Sequence, residues 1–167
     1  METMKPSRLT WIVGPPGAGK TTYANALRSH CRVVEFTEML RPLVEPVRMR
    51  HGILGANARL IELVRHLELR PENRDLPQLV VVAGIVEEKA LFPLVDAGES
   101  VWLLLPSIDD WRRQLRNRPP TGPAGVAYDD YSYAERWYAI FTSWVHRGLP
   151  LLLIQPAHRS DLLGHPS

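Results

Sequence analysis

The sequence has almost no cysteine, and that scarcity narrows its chemistry first. The lone Cys31 among 167 residues cannot form an internal disulfide, and no Cys/His cluster has the spacing of a zinc site. Charge of one sign is also scarce. Twenty Lys and Arg stand against 18 Asp and Glu, and a net charge of +2 does not by itself mark a nucleic-acid backbone or an anionic membrane as partner. No apolar run approaches the roughly 20 residues a membrane helix needs. Polar Met1 to Arg8 leads into a short apolar stretch without the pattern of a signal peptide. No membrane contact and a cytoplasmic location are the expectations. The histidines are dispersed, with none beside a serine or cysteine in a hydrolase arrangement, and no Asn-Lys-x-Asp sequence reads guanine. Internal repeats are absent.

The remaining composition is that of a globular chain: 45% apolar and 23% charged, at a length that suits one domain, residues 1–167. Short apolar runs alternate with helical patterns, the signature of successive β-α units and a mostly parallel sheet. Strands are expected at Leu9–Val13, Arg32–Phe36, Leu79–Ala83, Val101–Leu105 and Leu151–Ile154. The third and fourth are continuously apolar, as strands covered on both faces are, which puts them in the middle of the sheet. Leu60, Leu63, Val64 and Leu67 form a helical stripe that Pro71 ends. A helix from Ser107, with Asp110 in capping position, runs to Arg118, and a last one spans about Asp129 to His146. Between them lies the Pro/Gly-rich stretch Pro119 to Gly125, which reads as a mobile loop.

The informative segment is Gly14-Pro15-Pro16-Gly17-Ala18-Gly19-Lys20-Thr21, which satisfies G-x-x-x-x-G-K-[ST]. It follows the first strand and opens a helix read as Thr22 to Ser29, the order that phosphate binding requires. Glycines let the loop curl until backbone N–H groups converge on a phosphate oxygen, and the start of the helix adds partial positive charge. Gly14 to Thr22 is therefore the candidate nucleotide site. Lys20 would reach the β- and γ-phosphates, and the Thr21 hydroxyl would ligate Mg2+. ATP is the expected nucleotide, with GTP left open.

On this motif the chain resembles the P-loop kinases, particularly the shikimate, gluconate and adenylate kinases and the kinase domain of polynucleotide kinase. The resemblance implies an α/β, three-layer P-loop NTPase fold with a five-stranded, mostly parallel sheet. It also implies a substrate-binding insertion at about residues 37–78 and a lid at about 107–128. Lid arginines in such kinases stabilise the transferring phosphate and exclude water, which maps onto Arg112 and Arg116, an i, i+4 pair. A solvated helix face balanced by Asp109 and Asp110 is the other reading of that cluster.

Many P-loop ATPases carry an aspartate at the end of a buried strand. Here the third strand runs into Gly84 and the fourth into Pro106, and neither offers an acid. The resemblance to shikimate kinases implies a working acid at or after the end of the second strand instead, and Glu35 and Glu38 are the candidates there to accept a hydroxyl proton or hold a magnesium-bound water. Glu38 is the first choice, and the resemblance pairs it with Arg41 to hold the acceptor. Simple solvation of one or both glutamates, or capping of a helix start by Glu38, is the other reading. Arg41, Arg48, Arg50, Arg59 and Arg65 load the insertion with charge and suit an anionic acceptor, or merely keep it soluble among Glu45, Glu62 and Glu68.

Seven of the thirteen aromatic residues lie between Tyr128 and Trp144, and Tyr133, Trp137, Phe141 and Trp144 share a helical face that should pack on the sheet. Base stacking needs exposed rings and is open only for Tyr128, Tyr131 and Tyr138. Gln155 to Arg159 would line adenine by layout, and Cys31 reads as a small core residue. The function expected is transfer of the γ-phosphate to a hydroxyl of a small-molecule or nucleoside-type acceptor. A polynucleotide 5′-hydroxyl acceptor, with nucleic acid as a less favoured partner, and a partner-regulated nucleotide switch are the alternatives.

Overall fold

The computed structural model describes residues 9–35, 61–66, 68, 70–73, 75–83, 88–117 and 131–155. Five strands form one sheet: β1 Leu9–Val13, β2 Arg32–Glu35, β3 Leu79–Val82, β4 Ser100–Leu104 and β5 Leu152–Ile154. Their order is β2-β3-β1-β4-β5 and every pairing is parallel. Each strand lies within a residue of its expected position. β3 and β4, with their continuous apolar runs, are interior and flank a fully buried β1.

Alternate side chains point to opposite faces of the sheet. One face carries Trp11, Val81, Leu103 and their neighbours, and is covered by α2 (Glu88–Asp96) and α4 (Ser132–His146) through Leu91, Leu94, Phe141 and Trp144. Burying each such leucine contributes about 1.5–3 kcal/mol. The opposite face carries Ile12, Val80 and Val82, with Ala24 of α1 (Lys20–Asn25) and half-buried Tyr23 and Leu27 against it. The connection leaving β1 thus crosses one face and those joining β3 to β4 and β4 to β5 cross the other. The crossovers thus change face between β1 and β4, and in α/β sheets the carboxyl ends of the strands at such a point are where ligands bind.

Three elements differ from expectation. The first helix begins at Lys20 and ends at Asn25, after which Leu27, Arg28 and His30 donate three residues back and the chain tightens into turns. α2 has no counterpart in the sequence reading, because Pro93 sits inside it. A parallel crossover nevertheless needs such an element, and Leu91 and Leu94, three residues apart, anchor it in the core. In the insertion, residues 61–66 are helical, but Ile61 and Val64 are the buried pair and Leu63 is exposed. Leu60 and Leu67 lie outside the described residues.

That insertion segment is tied to the amino-terminal edge of the sheet. Buried Glu68 pairs with Arg32 at the start of β2. Arg65 Nε lies 2.9 Å from Glu99 Oε2, just before β4. Burial raises the Glu99 pKa, against the opposing pull of Arg65. Cys31 is half-buried against the α1 side of the sheet, and the α4 aromatics Phe141 and Trp144 pack in the main core as expected.

Candidate active site

The Gly14–Thr21 loop leaves the carboxyl end of the central strand and lies over the end of β4. A Cβ at Gly14 would collide with the Leu104 carbonyl oxygen, so only glycine allows this approach. Pro15 and Pro16 have no N–H to offer a phosphate. Beyond Gly14 the next backbone N–H of the loop is therefore that of Gly17, and the Ala18 N–H is spent on Pro15 O at 3.2 Å. Gly17 (φ 80°) is left-handed, and a Cβ there would stand 3.2 Å from Leu115 Cδ1. Lys20 Nζ lies 2.7 Å from Gly14 O and 3.1 Å from Pro15 O, which places its ammonium at the loop. Thr22 is half-buried in the first turn of α1.

Thr21 Oγ1 donates to Glu35 Oε1 at 2.6 Å. β2 is the edge strand beside β3, and Glu35, paired with Val82, brings its carboxylate from the end of that strand toward α1. A hydroxyl has one proton and two lone pairs. Donating the proton to Glu35 leaves the Thr21 oxygen able to face a cation. The two side chains supply a hydroxyl and a carboxylate, the hard oxygen donors that Mg2+ takes while keeping several waters. No group of three or more His, Cys, Asp or Glu that could hold a metal occurs among the described residues. The Thr21 hydroxyl and Glu35 carboxylate would fit a magnesium that keeps waters of its own.

Helix α3 (Ile108–Arg116) is capped as expected, Ser107 Oγ accepting from the Asp110 N–H at 3.3 Å. Its buried stripe, Trp111 and Leu115, packs on the loop with Ala18, Tyr133 and Ala134. Arg112 and Arg116 lie beside that stripe and are exposed. Arg112 is engaged by Glu135 of α4, Nε to Oε1 at 3.1 Å. That hydrogen bond, with the charge of Glu135, holds the guanidinium pKa above its ordinary value. Arg113 pairs with Asp110 at 3.3 Å, so part of the cluster is balanced within its own helix.

Glu38 and Arg41 lie outside the described residues, as do Arg48, Arg50, Arg59, Arg118, the Pro119–Gly125 stretch, Tyr128 and residues 156–159. Arg65 holds Glu99 at the edge of the sheet opposite the loop, so its charge goes to the fold and not to an acceptor near Lys20. Tyr138 is packed rather than displayed: it stacks on Trp111 at 4.5 Å and donates to Pro106 O at 2.7 Å. Tyr131 is likewise half-buried, against the α3–α4 cluster. Gln155 is exposed just after β5.

The sequence reading missed Trp111, whose Nε1–H donates to Pro16 O at 2.8 Å. Its spacing from Leu115 on an otherwise charged helix was the available signal, since a four-residue apolar pair must pack on something.

No family model matches the chain, and no curated protein matches its sequence. Solved structures do resemble it. Shikimate kinase from Bacteroides thetaiotaomicron superposes with a TM-score of 0.63 at 14% identity, over 93% of this chain and 92% of that one. Shikimate kinase from Acinetobacter baumannii, in complex with shikimate, gives 0.60 at 16% identity over 92% and 86%. A gluconokinase from Sinorhizobium meliloti gives 0.55 at 14% identity over 94% and 87%. The chain therefore has the α/β fold of the small P-loop kinases. No helix among the described residues is long and apolar enough to cross a membrane.

Proposed function

We propose that this chain is an ATP-dependent kinase that moves the γ-phosphate to a hydroxyl of a small-molecule acceptor. The observation that carries the reading is the hydrogen bond from Thr21 to Glu35 beside the Gly14–Lys20 loop. It sets an acid where the buried strands offer none. A fold shared with shikimate kinases and a gluconokinase supports the same reaction class.

Phosphoryl transfer asks a protein mainly for positioning and charge neutralisation. In this reading the N–H groups of Gly17 and Gly19 to Thr21 hold phosphate oxygens, and Lys20 exchanges its carbonyl partners for the β- and γ-phosphates. Magnesium, held by the Thr21 hydroxyl and through water by Glu35, would neutralise charge on those phosphates. Glu38 and Arg41 stay the candidates for orienting the acceptor hydroxyl. Arg112 and Arg116 are the candidates for stabilising the transferred group, Arg112 by leaving Glu135. Residues 37–78 are proposed as the acceptor region and 107–128 as the lid of a single domain.

The test is magnesium-dependent turnover of ATP and of GTP by wild type and Lys20→Ala, with hydroxylated metabolites, nucleosides and 5′-hydroxyl oligonucleotides as acceptors. ATP turnover stimulated by a small hydroxyl compound, and lost in a folded Lys20→Ala, is the expected result. Nucleotide binding without turnover on any acceptor would turn the reading into a switch. Stimulation by oligonucleotides alone would replace the small molecule with a nucleic-acid end.

A further inference from the structure

We propose that Trp111 is a positioning residue for the nucleotide phosphates, because its grip on the Pro16 carbonyl fixes the direction in which the Gly17 N–H points. The inference rests on the reading of Gly14–Thr21 as the nucleotide site.

The peptide between Pro16 and Gly17 is planar, so its C=O and N–H turn as one unit. No peptide among the described residues is cis. In a trans peptide the two groups point in opposite directions. With the carbonyl held by the indole at 2.8 Å, the Gly17 N–H must face away from α3.

Without that grip the peptide would be poorly restrained. Gly17, at φ 80°, lacks the Cβ that limits rotation in other residues, and proline fixes its own φ but not its ψ. The orientation also matters more here than in a loop with all its donors. Pro15 and Pro16 contribute none and the Ala18 N–H is occupied, so between Gly14 and Gly19 the Gly17 N–H is the one donor left.

The clamp itself is rigid. Trp111 is fully buried, stacks on Tyr138 with an interplanar angle of 28°, and Tyr138 is tied to the Pro106 carbonyl. Leu115, one turn along α3, closes the space beside Gly17. An indole N–H is a donor only and needs an acceptor when buried. A phenyl ring would fill most of the same volume without making this bond.

Trp111→Phe keeps a ring against Tyr138 and removes the donor. Titration calorimetry with ATP and with inorganic triphosphate, at a temperature where both proteins are folded, reads the effect. Both ligands should bind about fivefold more weakly, the ratio that one net hydrogen bond between neutral groups is worth. Equal loss on both ligands assigns the effect to the phosphates, whereas a loss of stability alone would leave both affinities unchanged. Unchanged affinity, or a loss for ATP that triphosphate does not share, overturns the proposal. Should Trp111→Phe fail to fold, the Trp111 indole N–H resonance of the wild type decides: slow exchange with solvent and a shift on adding ATP are expected, and a fast-exchanging or unmoved resonance overturns it. A wild type that binds neither ligand removes the nucleotide-site reading and this inference with it, while equal binding by both proteins removes the inference alone.

Discussion

Thr21 and Glu35, fourteen residues apart, meet across a 2.6 Å hydrogen bond that joins the first turn of α1 to the end of β2. The bond orients the Thr21 lone pairs and brings a negative charge to the loop that carries Lys20.

That pairing makes Glu35 the first acid to replace. Glu35→Gln can still accept the Thr21 proton but loses the charge. Turnover is expected to fall by roughly a hundredfold or more, the scale of losing a positioned acid or base, with ATP affinity measured without magnesium little changed. Steady-state kinetics beside calorimetry with and without magnesium checks this. Wild-type turnover in the variant would move the role to Glu38.

Gly14→Ala tests how closely the loop lies over β4. The added methyl runs into the Leu104 backbone carbonyl, which cannot rotate aside as a side-chain tip could. A loss of about 1–3 kcal/mol in chemical unfolding is expected, typical of forced overpacking, together with weaker nucleotide binding. A variant as stable as wild type would mean that the loop can lift off β4.

Arg112 and Glu135 separate a structural ion pair from a working arginine. Both side chains are more than 40% exposed, at 44% and 43%, so water screens the pair and it adds little to stability. Glu135→Ala should leave the melting temperature nearly unchanged and should not lower kcat. Arg112→Ala should lower kcat markedly with the same small effect on stability. Equal kcat in the two variants would return the arginine to a solvated helix face.

Glu99 sets a pH dependence unrelated to the loop. Burial raises its folded pKa above the unfolded value, so the folded state binds more protons in the window between them. Stability from this group is fully present below the unfolded value and is lost as pH rises through the raised folded value. Glu99→Gln cannot titrate. Its melting temperature relative to wild type should climb as pH rises from the ordinary glutamate range, and a flat difference from pH 4 to pH 7 would show that Arg65 compensates the burial fully.

The sequence alone carried the strands, the capping of α3 by Ser107 and the tight glycine-rich turn between β1 and α1. Those features are written in short spans: an apolar run, a serine three residues before an N–H it can cap, glycines at fixed spacing before a lysine. α2 was illegible because Pro93 breaks a helical pattern by local rules, while burial of Leu91 and Leu94 overrides them. In the insertion stripe Val64 is buried as expected and only Leu63 departs, for a related reason. Ile61 and Val64 face the core, and buried Glu68 is paired with Arg32, 36 residues away.

What the sequence determined by itself was the class of molecule, a parallel α/β sheet with a glycine-rich loop and a lysine after its first strand, because periodicity and loop chemistry act between neighbours in the chain. Tertiary structure decided which side chains serve that loop. Glu35 rather than a buried-strand aspartate meets Thr21, Trp111 holds Pro16 from 95 residues away, and Arg65 is committed to Glu99. Each of these contacts follows from the strand order and from the faces that the crossover helices cover, and no local stretch of sequence encodes either.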